Sequence, residues 1–131
     1  MRLSALTLAL LFALALAGRV LAETPAVPDG KPLTGEEIKA LIHGVTFDVV
    51  AYDQPFTAVL TWDFEAESVT GSYVWDKTKE GSVDLEMYIE NDRLCTKQKK
   101  GDVCQIIYRY QEGFMEVTPA GVVHAVSLPK K

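Results

Sequence analysis

The chain has 131 residues, with 18 Asp and Glu against 13 Lys and Arg and only two cysteines. The first 22 residues read as an export signal, and removing them leaves 109 residues with 11 basic and 18 acidic side chains, a formal charge of −7. That length supports one domain with one modest core. The acidity argues against nucleic acid and anionic membranes as partners, because both are bound through Lys and Arg.

In chain order, Met1-Arg2 leads into a Leu- and Ala-rich run from Leu3 to Ala17, then Gly18-Arg19 and Val20-Leu21-Ala22. A charged start, an apolar stretch of about 15 residues and apolar or small residues before the cut make a signal peptide over 1–22, cleaved after Ala22. The run stops short of the roughly 20 apolar residues a membrane span requires. No Cys follows it for lipid attachment, and Arg2 stands without a second Arg. The expectation is a periplasmic or secreted protein with no membrane anchor after cleavage.

Residues 23–32 hold Pro25, Pro28, Gly30 and Pro32, the composition of an extended linker. Residues 33–131 form the domain. Thr34-Gly35-Glu36-Glu37 opens a short helix with a capping box, in which Thr34 caps the Glu37 amide and the Glu37 carboxylate reaches back. Ile38, Leu41 and Ile42 give that helix one apolar stripe, and Gly44 ends it.

From Val45 onward the period changes from 3.6 to 2. Val83, Leu85, Met87 and Ile89 alternate with polar neighbours, as do Phe56, Ala58, Leu60 and Trp62, and then Val69, Gly71, Tyr73 and Trp75. Ile106, Tyr108 and Tyr110 share a face of a later strand. Turn signals divide the chain into about eight strands: 45–52, 56–63, 68–75, 83–90, 93–97, 103–110, 113–118 and 122–128. Every connection is short, so neighbours are antiparallel and the topology is a meander. Closure removes the two free edges, which favours an all-β up-and-down barrel with one N-terminal helix over a two-sheet sandwich.

Cys95 and Cys104 lie either side of a polar turn over Gln98–Gly101, in a register that sets Cys95 against Cys104 and Lys97 against Asp102. An even cysteine count in an exported chain favours a disulfide between them. Zinc sites usually have closer cysteine spacing and further ligands nearby.

The order of the Leu33-Thr34-Gly35-Glu36-Glu37 helix, Gly71-Ser72-Tyr73, Asn91-Asp92-Arg93-Leu94-Cys95, Cys104-Gln105-Ile106-Ile107-Tyr108 and Pro119-Ala120-Gly121 resembles small exported bacterial proteins of lipocalin-like β-barrel shape. Some similar barrels are periplasmic protease or lysozyme inhibitors. The resemblance implies a barrel that binds, but it carries over no individual site residue, and no inhibitory loop signature is present.

Chemistry has few candidates. His43 ends the helix, where the dipole favours a cationic imidazole. His124 is in phase with Val122, Val126 and Leu128, and so points inward, either as a hydrogen-bonded core or rim histidine or as a ligand contact. Asp63, Glu65 and Glu67 alternate toward a turn; they read as a solvated hairpin turn in preference to a cation site. No nucleophile elbow, His-Glu-x-x-His, P-loop or dinucleotide fingerprint occurs. No catalytic residue, metal or cofactor is therefore expected.

Two functions follow as expectations. The first is a non-catalytic binding protein for a protein partner, with an inhibitor acting through its loops as one form of it. The second is a carrier of a small apolar ligand, with Trp62, Tyr73, Trp75, Tyr108 and His124 as the candidate lining. Eight strands of about seven residues make a shallow barrel that aromatic side chains can fill. A void above about 300 Å³ open at one mouth is the feature that favours the carrier.

Overall fold

A computed structural model describes residues 23–131; the expected signal peptide over residues 1–22 lies outside them. Eight antiparallel strands close into a barrel: β1 Thr46–Ala51, β2 Phe56–Asp63, β3 Ser68–Trp75, β4 Lys79–Glu90, β5 Arg93–Gln98, β6 Gly101–Tyr110, β7 Gly113–Val117 and β8 Val123–Pro129. Each strand pairs with the next. β8 returns to β1 through pairs such as Val50 with Val126, so no edge is left and the sandwich is not formed.

Among the described residues one helix, α1 (Gly35–Ile42), precedes the barrel, with the expected capping box between Thr34 and Glu37. His43 follows as its C-cap and Gly44 as the next residue, at φ 73°. The helix is too short to hold itself together in water. Packing holds it instead, because Ile38 and Ile42 are fully buried with Phe47, Trp62, Met87, Leu94 and Ile107 inside one end of the barrel. Hydrogen bonds tie it there: Gly35 N–H donates to Asp92 Oδ1 (2.7 Å), and Gly44 N–H donates to the Trp62 carbonyl (2.9 Å).

The β5–β6 hairpin has the expected register, with Cys95 opposite Cys104, Lys97 opposite Asp102 and a disulfide joining the two cysteines. In the chain-entropy account, closing a loop this short stabilises the fold by about 2–3 kcal/mol. Lys97 and Asp102 do not pair with each other. Lys97 reaches Glu86 at 3.2 Å, and Asp102 accepts the Tyr88 hydroxyl, a bond that pushes the Tyr88 pKa up to about 12.

Two turns are tighter than expected, and this changes the depth of the barrel. Asp76 and Lys77 both adopt positive φ, so the chain reverses within Asp76–Thr78 and β4 pairs from Lys79, four residues earlier than read from the sequence. Gly81, expected in a turn, lies inside β4, where the Tyr73 ring occupies the space a Cβ would need. At β5–β6 only Lys99 and Lys100 turn, with Gln98 already paired to Gly101.

A second apolar cluster lies on the outer surface of β6–β8. Met115, Val117, Val123 and Val126 are buried there beneath Val27, with Tyr52, Ile106, Tyr108 and Tyr110 packed alongside. The 23–32 segment has no regular secondary structure, yet Val27 uses it to cover an outer face of the barrel.

Candidate functional site

The interior is filled at the helix end and hollow at the other. Near α1, Phe47 and Phe114 meet edge to face with ring centroids 5.0 Å apart, and both are fully buried. Toward the opposite mouth lies a cavity of about 270 Å³. It opens into a wider recess of about 670 Å³ at the rim, and the two share Phe56, Gln105 and His124 among their walls. The expectation of a core filled by aromatics thus fails at this end. The longer β4 and β6 deepen the barrel there, and the small Ala58 and the polar Thr96 and Gln105 line it.

The cavity has two unlike sides. Val49, Ala58, Leu60, Tyr73, Val83 and Leu85, from β1 to β4, form an apolar half. Thr96 and Gln98 from β5, Gln105 from β6, Glu116 from β7 and His124 from β8 form a polar strip on consecutive strands. Leu94 pairs with Gln105 and Ile107 with Glu116, so Thr96, Gln105 and Glu116 are diagonal neighbours on one face.

His124 faces the cavity, though for a different reason than its spacing suggests. Val126, which shares its phase, packs in the outer cluster. A bulge between Glu116 and Val117 pairs Glu116 with Ala125 and Val117 with Val123. His124 is therefore the extra residue, and the bulge turns it inward. Its Nδ1 lies 2.7 Å from Asp53 Oδ1, and its ring is tilted against Phe56 at 5.9 Å. Phe56 stacks in turn on Trp75 at 6.1 Å, giving the mouth an aromatic row.

Glu116 is 8% exposed and Gln105 7%. Burial pushes the Glu116 carboxyl above the usual carboxylate range; His124 opposes that shift and Asp53 adds to it. Gln105 Oε1 is buried without a hydrogen-bond partner, and so is the Trp62 indole N–H in the same cavity lining.

Of the residues singled out from the sequence, Trp62, Tyr73, Trp75 and His124 line this cavity. Tyr108 does not. It pairs with Met115 and belongs to the outer cluster, so the Ile106-Tyr108-Tyr110 face is the outside of the barrel. His43 takes the C-cap position expected of it and adds a second contact. Its Nδ1 accepts the Phe64 N–H at 3.0 Å, which fastens the helix end to the β2–β3 turn. Asp63 accepts from the Glu65 and Ala66 amides, which lowers its pKa and makes it part of the turn.

Sequence reading missed Gln105, Glu116 and Asp53. The available signal for Gln105 was its place between Val103 and Ile107 at a spacing of two, a polar residue in an otherwise apolar phase. No family model matches the chain, and no curated protein or solved structure does either, so the argument for function rests on the barrel itself.

Proposed function

We propose that this protein is an exported, non-catalytic carrier that holds a small, mainly apolar molecule in the open half of its barrel, in the manner of lipocalin-like proteins. The inner chamber of about 270 Å³ falls just short of the expected size by itself, and the observation that supports the reading is its continuity with the mouth recess of about 670 Å³. An apolar cavity of about 150 Å³ is enough to hold benzene, so the inner chamber suits a molecule of one or two rings. Its makeup, an apolar lining with a few convergent polar groups, is that of a binding pocket. The disulfide and the signal sequence agree with a periplasmic or secreted location. Among the described residues no helix is long and apolar enough to cross a membrane.

A protein partner is the second reading, favoured by exposed apolar residues at the open end. Trp75 and Val103 stand at the mouth, and Val122 lies in the adjoining β7–β8 loop. Both readings place recognition at the same end of the barrel.

Calorimetric titration with 2-naphthylmethanol tests the carrier. Saturable one-to-one binding is expected, and Val83→Trp, which fills the cavity from β4, should weaken it at least about tenfold. A Val83→Trp protein that is folded by circular dichroism and binds as tightly as the original would refute the cavity as the site.

A further inference from the structure

The polar strip gives the cavity a chemical preference. Glu116 is a carboxyl more than nine-tenths buried, and no hydrogen bond contributes to its pKa, which burial raises. Beside it, Gln105 presents a buried carbonyl oxygen with no donor. Buried acceptors without donors are costly, and a buried carboxylate without a counter-charge more so. The neighbouring groups relieve them only in part, since His124 favours a charged Glu116 and Asp53 opposes it. The Gln98 amide donates to Thr96 Oγ1 at 3.1 Å, and the His124 imidazole is engaged by Asp53. No Lys or Arg lines the inner chamber. Lys99 and Lys100 border only the outer recess, where both are exposed to solvent.

We propose that the cavity selects a primary amine on an apolar body of one or two rings, with its ammonium set against Glu116 and Gln105. This rests on the carrier reading and specifies its ligand. A primary ammonium brings three N–H donors and one positive charge, the groups these two side chains lack. Its charge would offset the desolvation of Glu116 by pairing with it. The ring system would occupy the apolar half beside Tyr73 and Val83, where aromatic walls also tolerate a cation. An anionic ligand would instead meet Glu116 with like charge. A neutral alcohol could satisfy one acceptor but brings no charge to hold Glu116 in its ionised form.

The test compares three probes with the same ring system by calorimetry: 2-naphthylmethylamine, 2-naphthylmethanol and 2-naphthoate. The amine should bind at least about tenfold more tightly than either of the others, the scale of a charged hydrogen bond. In Glu116→Gln that advantage should vanish, the amine losing at least about tenfold relative to the alcohol. An alcohol that binds the original protein as tightly as the amine overturns the amine assignment and leaves the carrier standing. Preference for 2-naphthoate overturns it too, and points to Lys99 and Lys100 at the rim. Binding of none of the three removes the carrier itself. The ranking of probes on the unaltered protein needs no variant, so the proposal stays testable even if Glu116→Gln fails to fold.

Discussion

Gly71→Ala should lower stability by about 3 kcal/mol or more, placing it among the most damaging single substitutions in the domain. Gly71 sits in β3 opposite Leu60, at φ 154°, and a Cβ there would lie 1.8 Å from the Val59 carbonyl oxygen. The obstruction is backbone of the adjacent strand, which cannot swing aside as a side chain does. Relief requires β2 and β3 to separate, and those strands form part of the cavity's apolar half. Urea unfolding followed by circular dichroism measures the effect. A midpoint within error of the original would mean that the two strands do not approach as closely as described.

Phe114→Ala should cost about 3–5 kcal/mol, the usual range for an aromatic truncated in a core. Phe114 is fully buried at the filled end, edge to face with Phe47, where little can collapse into the space it leaves. Domains of this kind are stable by only about 5–15 kcal/mol, so the variant should lose a large fraction of its stability. The same urea experiment reads it out. A loss below about 1 kcal/mol would show that the helix end is loosely packed, against the division of the barrel into a filled and a hollow half.

Much of this fold was legible because each local signal agreed with the others. Thr34 and Glu37 marked the helix start, and the alternation through Val83, Leu85 and Met87 marked an inward strand face. The cysteine register held because one pairing satisfied both the sulfurs and the turn.

The site was less legible, for three physical reasons. First, Ile106, Tyr108 and Tyr110 look like an inward face, but Val27 and the strands beside them bury part of the outer surface and draw apolar residues there. β7 shows the same effect, since all five of its residues are buried and no period distinguishes inside from outside. Second, a bulge cannot be counted from spacing, so His124 faced inward while the residues in phase with it, Val126 and Leu128, faced out. Third, Asp53 meets His124 across 71 positions of sequence, a contact that only barrel closure creates. Turn residues concealed the depth of the barrel as well. Asp76-Lys77 and Lys99-Lys100 reverse the chain in fewer residues than their composition suggests, and the added rungs of β4 and β6 extend the walls around the cavity.

Amide chemical-shift mapping during titration with 2-naphthylmethanol reads out whether a small molecule enters the open half of the barrel. Saturable shifts are expected at Ala58, Tyr73, Val83, Gln105, Glu116 and His124, with Met115, Tyr108 and Tyr110 on the outer face unmoved. Shifts confined to the outer face, or none up to the solubility limit of the probe, would rule out binding inside the barrel.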